Sequence, residues 1–127
     1  YDVYGIERDG NVDALIIFRK QIYEDRIAIR FVDYIRERTL ISGIGAFLKN
    51  LLSETDGAEY IDFYCAGINE EDVYEAGFVE VNEEDGNIIP NYFEPFVQEN
   101  IDIWVDSREY NSLFTKADAD QDRPNII

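Results

Sequence analysis

The sequence predicts an α+β fold, a mostly antiparallel central sheet with helices packed on it, in the element order βββ-α-β-α-β-β. Three observations carry this. Apolar residues alternate with polar ones, or run continuously, between residues 3 and 35, as strands do. The spacing then changes to that of a helix from Ile44 to Leu52, and returns to a strand pattern at Glu59. Turn residues stand at each change of period.

Val3 to Glu7 and Asp13 to Lys20 read as two strands joined through Arg8-Asp9-Gly10-Asn11, where the Asp-Gly pair supplies the backbone freedom of a tight hairpin. The run Ala14-Leu15-Ile16-Ile17-Phe18 suits a strand covered on both faces. After a polar connection at residues 23–26, Ile27, Ile29, Phe31 and Ile35 share one face at period two, with Asp33 the odd member of that face. These three strands form an antiparallel meander. Ile44, Phe47, Leu48, Leu51 and Leu52 fall at i, i+3, i+4, i+7 and i+8 of a helix with Ser42 as its N-cap and Gly57 beyond its end. Glu59 to Cys65 reads as a strand. Asn69 caps a short helix closed by Gly77, Phe78 to Val81 reads as a short strand, and Ile101 to Val105 as the last one. Residues 1–117 make one domain, and a polar tail occupies 118–127.

The 127 residues suffice for one core, and their charge excludes several functions. Lys and Arg number 11 against 28 Asp and Glu, a formal net charge of −17. That excess argues against nucleic acid and against an anionic membrane surface, both of which are held by basic side chains. With no histidine, no His-based triad or His general base can be built. The single Cys65 excludes an internal disulfide and a multi-cysteine zinc site, and points to a cytoplasmic location. Cys65 itself reads as a small buried hydrophobe. Asp118-Ala119-Asp120-Gln121-Asp122 imitates an EF-hand start, but Arg123 stands where glycine is required, so no metal site is expected. The aromatic residues Tyr60, Phe63, Tyr64, Tyr92, Phe93 and Phe96 read mostly as core, and the remainder could line an acceptor pocket. The chain starts at Tyr1 without Met, which suggests a processed or trimmed piece.

The charge is uneven. Residues 1–49 hold eight basic and eight acidic side chains, and residues 50–127 carry the whole excess. Within the neutral part, Ser42-Gly43-Ile44-Gly45 places two glycines at the first turn of a helix directly after a strand. First-turn N–H groups have no intrahelical partner, and with the helix dipole they make a phosphate-sized anion site. Arg36, Arg38 and Lys49 lie close in sequence.

These residues resemble the GNAT superfamily of acyl-CoA N-acyltransferases. Leu40-Ile41-Ser42-Gly43-Ile44-Gly45 is similar to its Gln/Arg-x-x-Gly-x-Gly/Ala loop, with Leu40 at the Gln/Arg position. Val73-Tyr74-Glu75-Ala76-Gly77-Phe78 looks like its Tyr-Glu-x-x-Gly-Phe signature, one residue short. The resemblance covers residues 3–105. It implies a GNAT-like fold, with acetyl-CoA or another acyl-CoA as cosubstrate and an amine of a small molecule or amino sugar as acceptor. Tyr34, Ile35 and Arg36 would offer backbone groups to the pantetheine arm, and Ile41, Ser42, Gly43, Ile44, Gly45 and Ala46 would cradle the pyrophosphate. Asp33 would be the catalytic base, and Tyr74 the proton donor to the departing thiolate. Asp33 paired with Arg30 or Arg36 as a structural carboxylate stands beside that reading. The alternative to an enzyme is a non-catalytic GNAT-like binding or structural module of a larger protein. As partners beyond the acceptor, a second copy and a fused upstream domain are both open.

Overall fold

A computed structural model describes residues 1–89, 99–100, 102–109 and 111–119. Three strands come first: β1 (Asp2–Arg8), β2 (Asn11–Tyr23) and β3 (Arg26–Arg36). They form the expected antiparallel meander. At the first turn Asp9 and Gly10 both take positive φ, 52° and 80°, the pair that a two-residue hairpin demands. The second turn sets Tyr23 opposite Arg26 and holds Glu24 at φ 54°.

A 3-10 segment, Arg38–Ile44, runs straight into helix α1 (Gly45–Glu54). The chain then returns as β4 (Ala58–Phe63), which pairs parallel to β3, giving a four-stranded mixed sheet in the order β1-β2-β3-β4. The α1 stripe lands as its spacing predicts. Ile44 and Leu48 are buried, and Phe47, Leu51 and Leu52 pack against a core of Ala14, Ile16, Phe18, Ile29, Phe31 and Tyr34. Phe31 stacks on Phe63 with ring centroids 4.1 Å apart and lies 4.7 Å from the Phe18 ring.

One irregularity in β3 rearranges a face. Phe31 stands opposite Phe18 and Asp33 opposite Ile17, so Val32 is an extra residue, a β-bulge. Because side chains alternate, one inserted residue exchanges the two faces beyond it. Tyr34 therefore joins Phe31 in the core, while Ile35 is exposed. This corrects the expected face: Asp33 and Ile35 are not on the side of Ile27, Ile29 and Phe31.

The second half differs more from expectation. β5 is only Cys65–Ala66, and it pairs with β6 (Phe114–Thr115), a strand with no sequence signal of its own. Helix α2 (Glu70–Glu75) is capped as predicted, with the Asn69 side chain accepting from the Glu71 N–H. Its end is a Schellman arrangement, in which Phe78 N–H reaches the Val73 carbonyl and Gly77 N–H the Tyr74 carbonyl. Phe78–Val81 and residues 102–105 are not strands. A short apolar run without a neighbouring strand has no ladder to join, and here none of the described segments supplies one. Ile101, the aromatic residues Tyr92, Phe93 and Phe96, and the tail from Asp120 lie outside the described residues. The described start of that tail is a short 3-10 turn, Lys116–Ala119, in which the Asp118 carboxylate accepts from the Thr115 N–H at 2.8 Å. No helix among the described residues is long and apolar enough to cross a membrane.

Candidate functional site

The expected anion cradle starts from Ser42. In the structure the helical rod begins earlier, at Arg38, and a 3-10 helix bonds each N–H it engages to the carbonyl three residues back. Leu40 N–H reaches Glu37 O at 3.4 Å, and the Ser42 hydroxyl donates to Thr39 O at 3.1 Å. The stretch matched to the phosphate loop thus lies within a helical rod rather than at its first turn. Ile41 and Ile44 are buried in the core. The two glycines have different reasons to be there. A Cβ on Gly45 would sit 3.0 Å from the Ala76 carbonyl oxygen, so Gly45 lets α1 rest on the end of α2. Gly43 faces open space. A diphosphate cradle needs a row of unbonded amides at a first turn, and these residues lie further along the rod.

Among the described residues, the two larger of three open grooves along β4 concern the expected site. One, of about 690 Å³, runs between α1 and the end of α2, past Gly45, Ala46, Lys49, Ile61, Glu75 and Phe78. The other, of about 500 Å³, lies beyond β4 and is bordered by Asp62, Tyr64, Cys65, Val73, Tyr74 and Phe78. Tyr74 is exposed on α2. Gly45 and Ala46 therefore border one groove and Tyr74 the other, and neither groove is lined by Asp33, Tyr34, Ile35, Arg36, Ile41, Ser42, Gly43 or Ile44.

Asp33 is engaged elsewhere. Its Oδ1 accepts from the Tyr34 N–H at 2.8 Å and from the Thr115 hydroxyl at 3.0 Å. It pairs with neither arginine proposed for it. Arg36, at φ 85°, donates to Val12 O at 3.4 Å. Tyr34 donates its hydroxyl to Glu37 O at 2.5 Å. Burial, with the nearby charges of Glu37 and Asp72, pushes that phenol up to about 12. It is held protonated, as a core anchor for the chain entering the 3-10 segment.

The polar face of the sheet holds a cluster that sequence reasoning did not find. Register sets Arg30 beside Asp62 across β3 and β4. Arg30 Nε lies 2.7 Å from Asp62 Oδ2, and Lys116 Nζ lies 3.4 Å from the same oxygen. Lys116 also stands 3.8 Å above the centre of the Tyr64 ring. All are deeply inside: Asp62 and Lys116 are each 2% exposed and Arg30 6%. Asp62 Oδ1 is buried with no hydrogen-bond partner among the described residues. Burial, and then Asp62, raise the Tyr64 phenol, while Arg30 opposes the shift. Burial alone pushes Cys65 up to about 11, which keeps it a thiol, although it is half-buried rather than the fully buried side chain expected.

The segment around β6 covers this cluster. Arg38 donates to Gly67 O at 2.9 Å and to Asn111 O. Gly67, at φ 84°, has the Ser112 carbonyl where a Cβ would stand. The signal that sequence offered was Arg30 between Ile29 and Phe31, and Asp62 between Ile61 and Phe63: single charges inside apolar strands. Lys116, far along the chain, gave none. Among the described residues no cluster of three or more Cys, Asp or Glu is placed to hold a metal ion. Comparisons with known protein families, with curated proteins and with solved structures found no match.

Proposed function

We propose that this chain is a GNAT-like domain acting as a non-catalytic binding or structural module of a larger protein. The observation that supports it is the 3-10 segment Arg38–Ile44, which puts Ile41–Ile44 inside a helical rod rather than at its first turn, with the Ala76 carbonyl close against Gly45 at the start of α1. The separation of Asp33, Tyr74 and the glycine stretch supports the same reading, because direct acyl transfer needs base, acid and cosubstrate at one place. The GNAT-like assignment rests on the motif order and on β3 and β4 lying parallel across α1. Their pairing ends at Phe31 and Phe63 while β3 runs on to Arg36.

A second reading, an acyl-CoA-dependent N-acyltransferase acting on a small amine, is favoured by that strand separation and by the open space over Gly43. It requires the 3-10 segment to unwind. Calorimetric titration with CoA and acetyl-CoA decides between the two. The module reading expects no heat of binding at millimolar ligand. Micromolar binding abolished by Gly43→Glu would reverse it, and Tyr74→Phe would then be expected to slow turnover more than it weakens binding.

A further inference from the structure

From the buried cluster we infer that the seat of Lys116 is an exchangeable binding site for a primary alkylammonium group, filled here by the chain's own C-terminal segment. The seat is built from the Asp62 carboxylate on one side and the Tyr64 ring on the other, which is the chemistry that recognises an ammonium cation. The Asp62 side chain is wholly buried, and its Oδ1 has no partner among the described residues, so the site retains an acceptor that the resident lysine does not use.

The second cation on Asp62 permits the exchange. Arg30 Nε lies 2.7 Å from Asp62 Oδ2 as an ion pair without hydrogen-bond geometry, and Lys116 donates to the same oxygen at 3.4 Å. When Lys116 leaves, the carboxylate keeps Arg30, and no isolated anion is left in the interior. Arg30 belongs to β3 and stays in place. Lys116, by contrast, arrives on a segment tied by a two-residue ladder, by Thr115 on Asp33 and by Arg38 on the Asn111 carbonyl. The segment therefore acts as an intramolecular competitor. An ammonium group from outside, on a free alkylamine or on a lysine side chain of another protein, would take the seat by lifting it. This inference does not depend on whether the domain binds CoA.

Chemical rescue tests it on the full chain. Lys116→Ala empties the seat and leaves Arg30 and Asp62 in place. Butylammonium chloride is then expected to raise the melting temperature of Lys116→Ala in a saturable manner, while butanol and matched potassium chloride do not. Adding Tyr64→Leu to that variant is expected to weaken the effect at least threefold. The unsubstituted chain should not respond at the same concentrations, because its tethered lysine outcompetes the ligand. Nα-acetyl-lysine amide serves as a second probe: stabilisation equal to or better than butylammonium points to a protein side chain as the natural occupant, and a weaker one to a free amine. If Lys116→Ala does not fold, the unsubstituted chain is read by hydrogen exchange, with the Thr115 amide expected to exchange faster as butylammonium rises to high millimolar levels. Equal responses to butanol and butylammonium, the same shift with and without Lys116, or no change in exchange would overturn the site.

Discussion

The two faces of the sheet are closed by opposite means. One face is closed by α1 through an aromatic and aliphatic core, centred on Phe18, Phe31 and Tyr34. The other is closed through charge, by Arg30, Asp62 and Lys116 beneath the β6 segment. Apolar packing tolerates local adjustment, and its energy is spread over many contacts. A buried ion cluster concentrates its energy in a few atoms, and it suffers most when the carboxylate that both cations share is removed.

The sharpest way to break that comparison is to remove one residue from each face. Phe31→Ala is expected to cost about 3–5 kcal/mol through the cavity it leaves. Asp62→Ala is expected to cost about 3–5 kcal/mol as well, because it strands buried cations. Urea unfolding measures both. The faces then separate under joint replacement: Arg30→Met, Asp62→Leu and Lys116→Met together should be neutral or stabilising relative to the parent, by up to about 4 kcal/mol. A triple variant as damaged as Asp62→Ala would mean that the charges specify the fold.

A smaller loss is expected at Gly67. With φ at 84° and the Ser112 carbonyl in the way, Gly67→Ala should cost about 1–3 kcal/mol and should speed hydrogen exchange in residues 114–119 while sparing β2. Uniform loosening of the whole sheet would contradict the separation of the two closures.

Titration distinguishes the faces further. Cys65, beside β6, has its thiol raised from 9.0 to about 11. The folded chain thus holds that proton more tightly than the unfolded one, so the contribution is full below pH 9 and lost as pH rises through about 11. Cys65→Ser should flatten the alkaline slope of stability, and an unchanged slope would show that the thiol contributes nothing. The smallest effect lies at the second hairpin, away from both faces. Glu24 stands at φ 54°, so Glu24→Gly should stabilise by at most about 1 kcal/mol in the same urea assay.

What the sequence disclosed follows the range of the interactions. The Asp9-Gly10 turn, the α1 stripe and the Asn69 cap are local, and each stands where its residues placed it. The bulge at Val32 is a tertiary adjustment that leaves no mark in the period of β3, and it moved Asp33 off the face assigned to it. The pairing of Cys65–Ala66 with Phe114–Thr115 and the reach of Lys116 to Asp62 span some fifty residues of chain, beyond any periodicity. One glycine of the pair has a reason of the same long-range kind. Gly45 answers to the Ala76 carbonyl, a neighbour in space only, which the spacing of Gly43 and Gly45 does not disclose.

The most direct test of this account is hydrogen exchange at the Ile41 and Ile44 amides, with and without CoA. If these groups are bonded within the rod, they exchange well below the rate of an unstructured chain, and CoA leaves that rate unchanged. Fast exchange in the ligand-free protein that becomes protected when CoA is added would show an open cradle and contradict it.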